Sequence, residues 1–256
     1  MRLEMPVDLA AAYKSPSQRA RIISEAWGCR NLYCPRCDSP RVEPSAANTQ
    51  AVDFVCPRCR APFQLKSQSR SFSRRVTDAA YEVMRRAIQE SRTPHLLTLH
   101  YDPLSWRVRN LTLIPSFALT LSCLQKRKPL ALTARRKGWV GCNILLFNIP
   151  MDARIAIVSD GSPTSPGIVR GQYSRLQPLE KIEYQNRGWV LDVLNVVRSL
   201  PKREFSLAEV YRASDELQQL HPNNLHVREK IRQQLQRLRD MGLLAFLGRG
   251  KYLVTP

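Results

Sequence analysis

The chain has 256 residues, 43% hydrophobic and 24% charged, so it can bury a substantial core in one large or two small domains. Its 40 Lys and Arg residues outnumber 21 Asp and Glu residues, which gives a formal charge of +19. That surplus argues against an enzyme of small molecules and indicates a polyanionic partner. Seven cysteines without an opening leader pattern or a membrane-spanning apolar run predict a cytoplasmic, nucleoid-associated protein with no membrane partner.

Helical and strand patterns alternate along the first two thirds of the chain. Helical spacing over 17–27 places Ala20, Ile23 and Trp27 on one face. Strand-like runs at 51–55 and 62–66 flank the second cysteine pair, and a helix over 76–90 precedes strands at 95–101, 106–114 and 154–160. Residues 122–143 indicate a basic surface loop and 160–167 a turn. The pattern predicts an α+β fold class.

The last third has a different pattern, dominated by helices. Helical spacing covers 187–200, 205–222 and 227–242, and two strands at 243–248 and 251–255 follow around Gly248 and Gly250. Three helices followed by a hairpin is the order of a winged helix. The predicted boundary falls within 170–184, which gives an N-terminal domain of residues 1–180 and an α-rich winged-helix domain of residues 181–256.

Four of the cysteines form two Cys-x-x-Cys pairs. Cys34 and Cys37 make the first pair, Cys56 and Cys59 the second, and residues 38–55 separate them. This spacing is typical of two knuckles that present four thiolates to one zinc ion and leave no open position for substrate. The sequence therefore predicts a structural zinc site. The remaining three cysteines, Cys29, Cys123 and Cys142, are expected to be ordinary thiols.

Asp53, Gln64 and Lys66 lie on the two strands beside the second cysteine pair. Strand alternation puts Gln64 and Lys66 on one face, and a hairpin brings Asp53 alongside them. Magnesium-dependent phosphodiester cleavage uses such a set, because oxygen ligands hold Mg²⁺ while a lysine orients or deprotonates the attacking water. The alternative is a solvated carboxylate and a surface lysine on a hairpin, and the spacing alone leaves both interpretations open.

The winged-helix segment has a basic face. Arg228, Arg232 and Arg239 fall on the side of the third helix opposite Ile231, Leu235 and Leu238. We expect this face, with Gln233, to enter the major groove, and Arg249 and Lys251 in the wing to approach the backbone. A charged face that serves only solubility is the alternative.

A second basic segment contains a tryptophan. Trp139 follows Arg135, Arg136 and Lys137, so its ring is a candidate for an apolar contact with DNA while the cations bind phosphates. Packing of Trp139 in the protein core is the competing interpretation.

Long tracts of the sequence resemble the methyl-directed restriction endonucleases of the DpnI and Dam-replacing family. The tracts are AYKSPSQRARIISEAW, YCPRC, AVDFVCPRC, FQLKS, KRKPLALTARRKGWVGCNI, RGWVLDVLNVV and IRQQLQRLRDMGLLAFLGRGKY. The resemblance implies a PD-(D/E)XK nuclease domain with a four-cysteine zinc site and a winged-helix domain, both able to recognise GATC containing N6-methyladenine in double-stranded DNA. It also implies Mg²⁺-dependent cleavage by a type II enzyme. The oligomeric state does not follow from the sequence, and a monomer is favoured.

Carried onto this chain, the family motif falls on Asp53, Gln64 and Lys66, and it departs from the pattern at Gln64. The family has an acid there, whereas an amide supplies no formal charge to Mg²⁺. Three outcomes stay open: a nuclease that tolerates glutamine, one that uses Glu25 of the first helix as a further ligand, or a reader of methylated DNA that does not cleave. A winged-helix transcriptional regulator is a weaker hypothesis.

Overall fold

The computed structural model describes residues 1–46, 49 and 51–255. Its α-helices are α1 Pro16–Asn31, α2 Tyr81–Gln89, α3 Pro166–Leu176, α4 Tyr184–Ser199, α5 Leu207–Tyr211, α6 Ser214–Leu220 and α7 Val227–Asp240. Its strands are β1 Glu43–Pro44, β2 Phe54–Val55, β3 Pro62–Gln68, β4 Arg75–Ala80, β5 His95–Asp102, β6 Arg107–Ile114, β7 Leu124–Lys126, β8 Gly141–Leu145, β9 Ile155–Ser159, β10 Ser162–Pro163, β11 Glu204–Ser206, β12 Leu244–Gly248 and β13 Lys251–Val254. Over this described part, each helix is too short or too polar to cross a membrane.

The chain folds into two compact units that interleave in sequence. Unit 1 comprises residues 1–76, 92–116 and 153–174, and unit 2 comprises residues 77–91, 117–152 and 175–256. The predicted domains, residues 1–180 and 181–256, are instead continuous in sequence. That division stays a prediction.

Unit 1 is built on a seven-stranded sheet in the order β1-β2-β3-β5-β6-β9-β10. Only β3 and β5 pair in parallel among the described strands of this sheet, and its other pairs are antiparallel. Helix α1 packs on one face, where Ile23 and Trp27 are fully buried. The hydroxyl of Ser24 lies 2.9 Å from that of Ser67 on β3, and this contact sets the position of α1 along the strand. This face therefore carries the apolar core of the unit.

His95 at the start of β5 is a buried structural histidine. Its Nδ1 accepts a hydrogen bond from the backbone N–H of Ser116 at 2.9 Å, and its ring packs edge-on against Tyr173 of α3. Burial, helped by the charge of Arg36, lowers the pKa of His95 to about 3. The imidazole is therefore neutral and serves the core.

Unit 2 contains the helical C-terminal segment and two small sheets. Helices α4 and α7 pack on each other, and Ile231, Leu235 and Leu238 of α7 are fully buried. A capping box between Ser206 and Glu209 starts α5. Strand β11 lies between α4 and α5 and joins β13 and β12, which follow α7, in an antiparallel sheet, and β4, β8 and β7 form another sheet. The hairpin follows the last helix as predicted, but β11 and the break between α5 and α6 interrupt the three predicted helices.

The predicted helix over 76–90 is wrong in its first third. Arg75–Ala80 form β4, with Val76 and Asp78 buried between exposed neighbours, and α2 begins only at Tyr81. The Sγ of Cys142 donates to the carbonyl of Ala79 at 3.3 Å, and the Tyr81 N–H donates to Val140. Pairing with a distant strand overrides the local helical preference of this stretch.

Three other boundaries also differ from the predictions. The predicted surface loop over 122–143 contains β7 and the start of β8, which leaves residues 127–140 as the loop. The predicted turn over 160–167 contains β10 and the first two residues of α3, and the helix predicted over 205–222 is divided into the end of β11, α5 and α6.

The contact between α1 and β2 leads to the first prediction. A Cβ on Gly28 would lie 2.5 Å from Cζ of Phe54, whose ring is 1% exposed and has no room to withdraw. Gly28→Ala should therefore lower the free energy of unfolding by about 1–3 kcal/mol, measured from urea unfolding curves. The control is Gly171→Ala in α3, where nothing lies within 4 Å and alanine should add up to about 1 kcal/mol. Equal stability of the two variants would contradict this packing.

Candidate functional site

The four predicted zinc ligands lie together. The ligand atoms of Cys34, Cys37, Cys56 and Cys59 are all within 4.8 Å of one another. The Sγ atoms of Cys34 and Cys59 are 3.5 Å apart, and those of Cys37 and Cys56 are 3.6 Å apart. Burial acts to raise the pKa of Cys56, but the N–H groups of Cys59 and Arg58 outweigh it and the pKa falls to about 6. Four thiols with a favoured thiolate fit one tetrahedral zinc ion.

The knuckles are held by their own turns and by α3. Arg170 donates to the carbonyl oxygens of Cys34 and Ser39 at 3.1 and 3.0 Å, and its guanidinium lies over the ring of Tyr33. The remaining cysteines stay outside the cluster, as predicted: Cys123 and Cys142 are buried and Cys29 is half-buried. The four-cysteine cluster is therefore compatible with a structural zinc site.

Asp53 lies beside the segment of β3 that carries Gln64. The pairing of β2 with β3 joins Val55 to Pro62 and Phe54 to Phe63, and Asp53 directly precedes it. Asp53 hydrogen-bonds to Phe63 and Leu65, the two neighbours of Gln64 on β3. Phe54 points towards α1, as its contact with Gly28 shows. Because side chains alternate along a strand, Gln64 projects from the face opposite that of Phe54 and its partner Phe63.

Lys66 belongs to the same face, two residues beyond Gln64. Strand β3 turns Ser67 towards α1, and alternation then turns Lys66 away from it. In the parallel pairing with β5, Lys66 lies beside Thr98 and Gln68 lies beside His100. Thr98 and His100 are thus polar neighbours of the site. The sequence analysis assigned them no role, because the pairing of β3 with β5 leaves no signal in the local sequence.

The hairpin backbone orients the Asp53 carboxylate. Its Oδ2 accepts a hydrogen bond from the N–H of Leu65 at 2.7 Å, and its own N–H donates to the Phe63 carbonyl at 2.8 Å. Gln64 is 8% exposed, whereas Asp53 and Lys66 are half-buried. The carboxylate is therefore fixed against the strand that carries the other two residues.

Glu25 has an ionic partner that the sequence analysis missed. The Nε of Arg21 lies 2.6 Å from Oε1 of Glu25, one helical turn away on α1. The bond and charge of Glu25 raise the pKa of Arg21, and the charge of Asp53 adds a smaller contribution. Arg21 thus lies within electrostatic reach of Asp53, and an (i, i+4) pattern of opposite charges was the available signal.

The basic loop, residues 127–140 between β7 and β8, exposes Arg135, Arg136 and Lys137. Trp139 is half-buried, and a Cβ on Gly141 would lie 2.8 Å from Cη2 and Cζ3 of its ring. The ring therefore packs over Gly141 and keeps an exposed part. Trp139 is thus partly packed in the protein and partly accessible to a ligand.

Helix α7 and the β12–β13 hairpin also expose the predicted residues. Arg228, Arg232 and Gln233 are exposed on α7, opposite its buried apolar side. The guanidinium of Arg228 lies 5.3 Å from the centre of the Tyr211 ring, a contact that the sequence analysis missed. Arg249 occupies the turn at φ 49°, and Nζ of Lys251 is 3.7 Å from Glu204.

Comparison with known families accounts for nearly the whole chain. Residues 1–182 match the model of DpnI, the Dam-replacing family, and residues 185–253 match the Dam-replacing HTH domain. The second match covers α4 to β13, the segment with the exposed basic helix. An HTH domain indicates DNA binding, in agreement with the positive charge of the chain.

The four-cysteine cluster gives the second prediction. Purified protein should hold one zinc ion per chain by elemental analysis, and Cys59→Ser should lose it and lower the melting temperature by several degrees, because the ion links two distant segments. Cys29→Ser, which changes a thiol outside the cluster, should keep both the zinc and the stability. Full zinc content in Cys59→Ser would show that the four sulfurs do not form the site.

Proposed function

Since this chain belongs to the DpnI, Dam-replacing family, which implies a methyl-directed restriction endonuclease, we propose that it cuts double-stranded DNA at GATC sites containing N6-methyladenine. The reaction is Mg²⁺-dependent phosphodiester hydrolysis of the type II class. We assign the nuclease domain to residues 1–180 and the winged-helix domain to residues 181–256. The observation that carries the proposal is the hydrogen bonding of Asp53 to the segment of β3 that carries Gln64 and Lys66, beside the four-cysteine cluster.

Asp53 and Gln64 would hold the magnesium ion, with Glu25 as the candidate third ligand. Carboxylate and amide oxygens are ligands that Mg²⁺ accepts, and Asp53 and Gln64 supply one of each. When bound, the ion offsets charge on the phosphate and favours deprotonation of water. The Leu65 N–H holds Asp53 in position, so the carboxylate needs little rearrangement to bind a cation.

Lys66 acts on the attacking water and on the phosphate. Its position on β3, two residues beyond Gln64 and beside Thr98, supports a role next to the oxygen ligands. An ammonium there orients water by hydrogen bonding, helps it lose a proton and offsets the charge that develops on the phosphate. The half-buried position strengthens these interactions relative to open solvent.

DNA binding would use the exposed cations of unit 2. Arg228, Arg232 and Gln233 on α7 suit base edges in the major groove, and Arg249 and Lys251 suit phosphates. Arg135, Arg136 and Lys137 would bind phosphates beside the exposed part of Trp139, whose ring would contact the adenine methyl group. The net charge of +19 supports a large sequence-independent contribution to affinity.

A second candidate function is a reader of methylated DNA that does not cleave. Gln64 favours it, because this amide stands where the family motif has an acid and leaves the cation site with one charge fewer. Selective binding of methylated DNA without nicking in Mg²⁺ or Mn²⁺ would identify this function.

The third prediction tests methyl-directed cleavage. With Mg²⁺, the protein should cut plasmid DNA from a host with Dam methylation and leave the same plasmid from a host without it intact, as seen on agarose gels. Plasmid remethylated in vitro with an adenine methylase should regain sensitivity. Equal cutting of both plasmids would contradict methyl specificity, and cutting of neither would contradict the nuclease.

The fourth prediction tests the three site residues. Asp53→Ala and Lys66→Ala should each lower the rate of DNA cleavage by at least about a hundredfold. Both variants should keep the affinity for a methylated duplex, measured without added Mg²⁺. Gln64→Glu should keep or raise activity, since it adds a charge to the cation site. A fall in activity with Gln64→Glu would mean that the amide itself has a chemical role. Glu43→Ala, at an exposed carboxylate on β1, is the control and should cut normally.

A further inference from the structure

Asp192 lies at the centre of a buried polar network in unit 2. The residue is 4% exposed and belongs to α4. Its Oδ1 accepts a hydrogen bond from the hydroxyl of Ser122 at 2.7 Å, and its Oδ2 lies 2.8 Å from Nε2 of His221. One carboxylate therefore joins two segments that are about a hundred residues apart in the chain.

Each of the two partners begins one of the proposed DNA-reading segments. Ser122 lies in the short helical turn Leu121–Cys123, directly before β7 and the basic loop. His221 is the C-cap of α6, where the chain turns towards α7. The separate oxygens of Asp192 thus connect the base of the basic loop with the turn of the helix-turn-helix.

Further contacts hold both partners in place. The Ser122 hydroxyl also lies 2.7 Å from that of Thr120, and its carbonyl accepts a hydrogen bond from Asn148 at 2.6 Å. The His221 ring stacks on Trp189 of α4 with ring centres 4.0 Å apart. The network is therefore built from rigid groups rather than from long surface side chains.

Core packing does not explain a carboxylate at this position. A buried polar side chain with hydrogen-bond partners gives little net stability over well-packed apolar side chains, so its presence points to a requirement for one defined arrangement. The network borders an open cleft of about 390 Å³, which leaves the turn after α6 without dense packing on that side. The hydrogen bond to Asp192 and the stacking on Trp189 then locate the His221 side chain at the start of this turn.

We propose that Asp192 is a positioning residue for DNA recognition, which holds the basic loop and the helix-turn-helix in one fixed arrangement so that they engage DNA together. The inference rests on the proposed DNA-binding roles of these two segments. It makes Trp139 and Arg232 energetically coupled, although neither contacts the network directly among the described contacts.

A double-mutant cycle tests the coupling. Affinity for a GATC duplex methylated on both strands is measured by fluorescence anisotropy without added Mg²⁺ for Trp139→Ala, Arg232→Ala and the double variant. In the wild-type background the combined fold-loss should differ from the product of the single losses by at least about threefold. In an Asp192→Leu background the losses should multiply, and Asp192→Asn, which keeps polar contacts to Ser122 and His221, should restore the coupling.

The control is Asp152→Leu, because Asp152 binds Arg198 of the same helix α4 but joins no DNA-reading segment among the described contacts. Coupling should persist in this variant even if it melts earlier. Multiplicative losses in the wild type, or coupling that survives Asp192→Leu, would overturn the proposal. Equal wild-type affinity for methylated and unmethylated duplexes would instead contradict the proposed methyl specificity, and the cycle can still be measured on either duplex.

Hydrogen exchange gives a second readout without DNA and without the leucine variant. His221→Gln should speed amide exchange at Arg127 and Gly138, whose N–H groups donate to Gly141 and Leu130 at the base of the basic loop. Asp152→Asn should leave both rates within about twofold of wild type. Unchanged exchange at these amides in His221→Gln would also overturn the proposal.

Discussion

The candidate site depends on the antiparallel pairing of β2 with β3, because Asp53 directly precedes β2 and hydrogen-bonds to the residues on either side of Gln64. Among the described residues the two strands share two paired positions, which is too short a ladder for independent stability. The second cysteine pair occupies the turn between them, so a zinc ion held by all four thiols would clamp the hairpin to residues 34–37. Loss of the ion would then loosen the segment that carries the Asp53 carboxylate, which links the zinc site to the proposed catalytic residues.

The two faces of the sheet in unit 1 differ in the side chains that they carry. One face buries Phe54, Phe63 and Leu99 against helical cover and supplies the stability of the unit. The other face carries the polar side chains of Gln64, Lys66, Thr98 and His100, with Lys66 paired to Thr98 and Gln64 paired to the buried Leu96. Strand alternation allows both on the same strands, because residues that pack towards α1 alternate with residues that point away from it.

Local patterns were sufficient for much of this arrangement. The cysteine spacing correctly indicated the cluster, and helical periodicity identified α1, α4 and α7 as well as the buried side of α7. Features that depend on distant pairing were not readable: β4 was taken for helix because its partner strand lies some sixty residues away, and Thr98 joins Lys66 only through the parallel pairing of β3 with β5. The same holds for Asp192, whose partners Ser122 and His221 come from segments that no local pattern connects.

We propose that the hairpin of β2 and β3, clamped by zinc, brings Asp53 and its neighbours together as a divalent-cation site. Mn²⁺ can be titrated into the zinc-loaded protein with a methylated GATC duplex present, and the bound ion followed by electron paramagnetic resonance. We expect saturable Mn²⁺ binding in the wild type and its loss, or a weakening of at least about tenfold, in Asp53→Asn. Mn²⁺ binding of equal strength in both proteins would contradict it.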